Sequence, residues 1–180
     1  MSNRPVDYNR AMDVIQNLGQ ILSRNYSGEH LRIRDRFWST FAREMFRQMW
    51  RSYLLRSEGM EDDHGTVWEP LKPETVKRKS KAGKRGGRYL PPAKKPSAIN
   101  IDQGDLLESY APGALHNDTY VPSPGQLVGF VANGVRLGSR IPYAAAVNRL
   151  RALYPQTYTA WVQQAVLRAV EAILPMIENP

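Results

Sequence analysis

Three carboxylates fall within seven residues at Asp102, Asp105 and Glu108. Clustered carboxylates serve as acid–base pairs or as oxygen ligands for a divalent ion, which is the arrangement a metal-dependent nuclease needs. In a turn beside a regular element they more often cap and face water, and that is the reading taken here. The histidines offer less. His30, His64 and His116 are not spaced as metal ligands in the manner of H-E-x-x-H. Asp62-Asp63-His64 lies in the acidic, glycine-flanked stretch 58–65 and reads as a solvated turn. Gly83-Lys84-Arg85-Gly86-Gly87 lacks the Lys-Ser/Thr of a phosphate loop, and no G-x-S-x-G occurs. There is no cysteine, which removes disulfides, thiolate catalysis and cysteine-bound zinc or iron–sulfur clusters. The chain is therefore expected to be no enzyme and to carry no cofactor or metal.

The strongest chemical signal is cationic. The chain has a formal charge of +8, yet Lys72 to Lys95 alone holds ten Lys or Arg against the single acid Glu74. That segment carries +9, so the remainder is near neutral at about −1. Lysine and arginine in a loop can neutralise phosphates by counterion release, or dock on an acidic protein surface. Tyr89 is the one aromatic residue of the tract, so base stacking is not suggested. The candidate contact residues are Lys77, Arg78, Lys79, Lys81, Lys84, Arg85, Arg88, Lys94 and Lys95.

These side chains need a scaffold. A hydrophobic share of 42% in 180 residues suffices for one core. Met1 to Arg10 is polar, so no secretory leader is expected, and no run approaches the length of a membrane span. Met12, Ile15, Leu18 and Leu22 predict a first helix over 7–26. Phe37, Trp38, Phe41, Ala42, Met45, Phe46, Met49, Trp50, Tyr53 and Leu54 predict a second over 32–56, with a broad apolar stripe. Pro73 opens a short helix, and 79–97, rich in Gly, Pro and Lys, reads as a long flexible loop. Leu106 begins a strand in this reading. The stretch 116–125 holds turns, and Asn133-Gly134 links a hairpin of 126–132 and 135–138. Residues 141–151 form a short helical or extended crossing. Trp161, Ala165, Val166, Ala169, Val170 and Ile173 mark a last helix that Pro175 should stop. The expected class is α+β in one domain: a small, mainly antiparallel sheet, long N-terminal and C-terminal helices and a long basic loop. Its parts are a helical stretch at 1–57, the loop at 72–98, the sheet at 99–140 and the final helix at 156–175.

Several short segments occur in a telling order. Trp68-Glu69-Pro70-Leu71 is followed by Thr75 and Lys77-Arg78-Lys79. Then come Ile101-Asp102-Gln103-Gly104-Asp105-Leu106-Leu107-Glu108-Ser109, Val135-Arg136-Leu137-Gly138 and Ile141-Pro142-Tyr143-Ala144. This order resembles the phage virion-morphogenesis or tail-completion family, over 68–147. Gln103 stands where that family usually has Thr, and Val147-Asn148 where His-Gln is common. The residues that carry the resemblance are Trp68, Leu71, Gly104, Leu106, Ser109, Gly138, Tyr143 and Ala144. Physically, Trp68 and Leu71 would anchor one end of the loop, and Gly104 would let the chain turn. Ile141, Tyr143 and Ala144 would pack beneath the sheet.

The resemblance implies a virion protein of the tail or neck, assembled in the host cytoplasm. It would form a homo-oligomeric ring with the sixfold symmetry of a tail tube, capping the tube and joining it to head-completion proteins. The basic loop and part of the 32–56 helix would then make the subunit and partner contacts, with transient DNA contact in the channel also open. The alternative from the residues alone is a DNA-binding accessory protein using Lys77 to Lys95. A nuclease using Asp102, Asp105 or Glu108 is a third reading.

Overall fold

A computed structural model describes residues 17, 20, 28–63, 65–85, 88–99, 101, 103–131, 134–150 and 159–178. The expected helix over 7–26 falls almost wholly outside them, with only Asn17 and Gln20 described, both helical. Helix α1, Gly28–Ser57, is the frame of the molecule. Its stripe is buried at Phe37, Ala42, Met45, Phe46, Met49 and Tyr53, while Trp38, Phe41, Trp50 and Leu54 are half-buried. Burial extends beyond that stripe to Ser39, Glu44, Gln48, Ser52, Arg56 and Ser57, so α1 is covered on much of its circumference. A helix covered this way lies inside its domain rather than on one face of it.

Two apolar groups lie along α1. Ile33 and Phe37 near its start pack with Ala169, Val170 and Ile173 of the last helix, α5, Thr159–Glu178. Met45, Phe46, Met49 and Tyr53 further along pack with Trp68, Ile99, Ile101, Leu106, Tyr110 and Tyr120. Fully burying each large side chain of this kind contributes about 1.5–3 kcal/mol. The rings meet at specific angles: Tyr53 is edge-on to Trp68 at 5.2 Å, and Phe46 is stacked with Tyr120 at 6.2 Å.

The class is α+β, as expected, with short helices α2 (Pro73–Lys79), α3 (Asp105–Glu108) and α4 (Ala144–Leu150) between the long ones. Among the described residues the strands form three antiparallel hairpins, each a two-stranded sheet: β1–β2 (Gly83–Arg85, Arg88–Leu90), β3–β4 (Ala114–His116, Thr119–Val121) and β5–β6 (Gln126–Val131, Gly134–Ser139). Isolated hairpins are marginal in water, so each must lean on something else. Tyr120 of β4 ties its hairpin to α1, its amide donating to Ser39 Oγ at 3.0 Å. The same residue's hydroxyl accepts from the Gly113 amide and donates to Gln126 Oε1, while Gln126 donates to the Ala111 carbonyl. One buried Gln–Tyr pair thus locks β4, β5 and the 111–113 segment together. The expected hairpin of this region is present, but its register is corrected: Gly134, expected in the link, is the first residue of β6 and pairs with Val131, the last of β5.

Three local expectations are corrected. Leu106 lies in the helical turn α3 rather than a strand, because Gly104 at φ 101° and the acidic first turn favour a helix start. Residues 114–121 are a hairpin rather than a turn region. Asn117 and Asp118 take φ of 45° and 66°, the left-handed values a two-residue hairpin link needs. Pro175 does not stop α5, which runs on to Glu178. Pro175 is exposed, and Leu174, Met176 and Ile177 pack against the Ile33–Phe37 group, which offsets the one backbone donor proline lacks.

Two outcomes follow. Gly113→Ala sets a Cβ against the Val121 carbonyl and 2.7 Å from the Tyr120 ring, and should lower thermal stability by about 2 kcal/mol or more. Burial raises the pKa of Tyr53 and of Tyr120 above the tyrosine value of 10.0. The unfolded chain ionises near pH 10 while the folded one stays neutral, so stability holds below that pH and falls above it. Melting curves from about pH 8 to 11 should show this fall, shallower in Tyr53→Phe.

Candidate functional site

The cationic tract begins with Lys72, ahead of α2. Pro73 fits the first turn of α2 and Glu74 its positive end, and Lys77, Arg78 and Lys79 fall in the last turn, where the helix dipole favours cations. The chain then forms the β1–β2 ribbon, in which Lys84 faces Tyr89 and Arg85 faces Arg88 across the strands. In the sequence, Gly86 and Gly87 lie between the two strands. Lys77, Arg78, Lys81 and Lys84 are exposed, and Tyr89 is 73% exposed. Within the expected long loop, Gly83–Arg85 and Arg88–Leu90 thus form a short, positively charged ribbon.

Its root is fixed rather than free. Lys79 was expected to meet a partner, but it is buried at 8% exposure. Its Nζ donates to the Ala98 carbonyl at 2.6 Å and the Ile101 carbonyl at 2.5 Å. Its own carbonyl accepts from the Ala93 amide at 2.8 Å. One lysine therefore clips the two ends of the ribbon segment together, because an ammonium brings several donors on a stem long enough to reach both carbonyls. The returning segment is also tied to the end of α1. The Ile99 amide donates to the Ser57 carbonyl at 2.8 Å, and Lys95 pairs with Glu58 at 2.8 Å. Lys94 reaches Glu108 at 4.0 Å. Lys94 and Lys95 are thus exposed but lean on the body, and the exposed charge described along the rest of the tract is that of Lys77, Arg78, Lys81 and Lys84.

The end of α1 to which the ribbon is tied holds the least expected feature of the molecule. Arg56 is fully buried and pairs with Asp62, itself buried, at 3.4 Å. Its guanidinium lies over the Trp68 ring, 4.8 Å from the centroid, and Nε donates to the Ser52 carbonyl. Asp62 also accepts from Ser52 Oγ at 2.6 Å and from the Thr66 amide at 2.9 Å. Burial lowers the pKa of Arg56, and the nearby Asp62 opposes that. A buried cation is costly unless paired and hydrogen-bonded, and here both conditions are met. Asp62 is thereby corrected from solvated turn residue to buried counter-ion. The signal was present: Met49, Tyr53 and Arg56 follow one another at helical spacing, which put Arg56 on the buried face.

Of the residues that carry the sequence resemblance, Trp68, Leu106 and Ala144 are buried in one apolar group, with Leu71 packed against it. Ser109 is fully buried, its hydroxyl 2.7 Å from that of Ser139 in β6. Gly104 starts α3, and Gly138 faces Leu127 across β5–β6. Tyr143 does not pack beneath a sheet as expected: it is 48% exposed at the start of α4, where Ala144, being small, takes the buried place. The side chains of Arg85 and Arg88, like Asp102 and His64, lie outside what is described. Asp105 and Glu108 are exposed, and among the described residues no group of three His, Asp or Glu side chains is placed to hold a metal ion.

Replacing Lys79 by Met leaves the Ala98 and Ile101 carbonyls without their donor, at a cost of about 1–3 kcal/mol. Limited proteolysis should then open the chain between Ser80 and Ser97 well before global unfolding. Arg56→Met strands the Asp62 carboxylate and should cost about 3–5 kcal/mol, read by chemical denaturation.

Comparison with known proteins finds no matching family model, no matching curated protein and no matching solved structure.

Proposed function

We propose that this chain is a structural subunit of a phage tail or neck, a tail-completion protein that works as one copy in a ring at the head-proximal end of the tail and helps join head to tail. The observation that carries the reading is the order of the short segments between Trp68 and Ala144, together with where they meet. Trp68, Leu71, Leu106 and Ala144, far apart in sequence, share one apolar group. In this reading the segments are the packing skeleton of a subunit rather than a reactive site, and the work is done by surfaces.

Ring formation needs a surface complementary to another part of the same molecule. The aromatic stripe of α1 is largely taken up by the chain's own core, which leaves it a smaller share of the interface than the sequence suggests. The β5–β6 hairpin is the better lateral surface. Leu127, Phe130 and Val131 are 47–49% exposed, and among the described residues β5 and β6 pair in the ladder only with each other. Open edges beside exposed apolar residues favour pairing with a neighbour.

Mass photometry with negative-stain imaging tests the reading. Rings with a mass near six times 20.5 kDa are expected, reduced to monomers by Phe130→Asp with an unchanged circular dichroism spectrum. A protein that stays monomeric and is missing from purified virions contradicts it.

A further inference from the structure

We infer that the β1–β2 ribbon is a docking element for the phosphate backbone of duplex DNA. The inference rests on the ribbon and its surroundings and does not require the ring.

The ribbon has the right form. A two-stranded antiparallel ribbon is one of the two protein elements that a DNA major groove admits. From Thr75 to Ile101 there is no acidic residue, so nothing within the segment quenches its charge. Lys77, Arg78 and Lys84 are exposed and, among the described residues, have no carboxylate within ion-pair distance. Arg85 and Arg88 occupy directly opposed positions in the ladder. Tyr89, opposite Lys84, adds an exposed hydroxyl of a kind that commonly meets phosphate.

The body argues for a partner outside the chain. Six of its carboxylates are already committed: Asp35, Glu44, Asp62, Asp63, Asp118 and Glu171 each lie within 3.4 Å of an arginine nitrogen of the same chain. A polyphosphate presents negative charge at every step, to a tract that holds ten Lys or Arg against one acid between Lys72 and Lys95. The root supports the same use. With its ends clipped by Lys79 and tied to α1, the ribbon is held in place before it meets a ligand, which lowers the entropy lost on binding. Contacts of this kind read no bases and bind all sequences alike.

Fluorescence anisotropy of a labelled duplex of about 30 base pairs with the full chain tests this. If about four phosphates are neutralised, affinity should fall roughly hundredfold between about 50 and 200 mM salt. The triple variant Lys84→Gln, Arg85→Gln, Arg88→Gln should lose at least about tenfold in affinity at the lower salt and show a flatter salt dependence. The variant Arg136→Gln, Arg140→Gln, Arg149→Gln removes equal charge elsewhere and should bind like the parent. Equal weakening by both triple variants overturns the inference, as does absence of duplex binding at low salt. Tighter binding to poly-glutamate than to the duplex overturns it as well, by assigning the ribbon to an acidic protein. Mass photometry on the same samples separates the two readings: a monomer that binds the duplex through the ribbon removes the ring and keeps this inference.

Discussion

A fully buried arginine is the constraint around which this molecule is arranged. Arg56 ends the apolar face of α1 and cannot give up water without Asp62, Ser52 and the face of Trp68. Satisfying it folds the 58–71 segment back onto the helix end. That places Trp68 against Tyr53 and brings Ser57 and Glu58 to where the 93–99 segment returns. The cationic tract is attached to the body at this point. Lys79 completes the attachment from the other side, and two buried cations of different type therefore anchor a segment whose Lys77, Arg78 and Lys84 are exposed.

Charge has two roles here that composition alone cannot separate. A run of lysines and arginines reads as one feature in the sequence, yet Lys79 is structural, Lys94 and Lys95 lean on glutamates, and Lys77, Arg78 and Lys84 are presented to the surroundings. The same division applies to the carboxylates: Asp62 is a core counter-ion, while Asp105 and Glu108 are solvated residues of α3. Burial, not residue type, decides which group is available to a partner.

The long helices were legible because their apolar spacing is strong and their sides are covered by matching partners, as with Ile33 and Phe37 against Val170 and Ile173. The β5–β6 hairpin was legible because an Asn-Gly pair marks a tight turn, although Gly134 itself lies in β6 rather than in the link. The Asn117-Asp118 hairpin was missed for want of the glycine, and because strands of three residues carry too little alternation to read. The ribbon was missed for a related reason: Gly and Lys hold little apolar area, and its order comes from Lys79 and from carbonyls distant in sequence. Pro175 misled because the contacts of the last turn of α5 with the core outweigh one missing hydrogen bond. The candidate site was half legible in the same way. Its charge was plain, and its attachment, which depends on long-range contacts, was not.

The central claim is that the cationic segment is anchored at its root rather than freely flexible. Amide hydrogen–deuterium exchange measures this directly. The account predicts that Ala93 and Ile99, which donate to Lys79 and Ser57, exchange as slowly as amides in the last turns of α1. Exchange of both at the rate of an unstructured peptide, with α1 still protected, would contradict it.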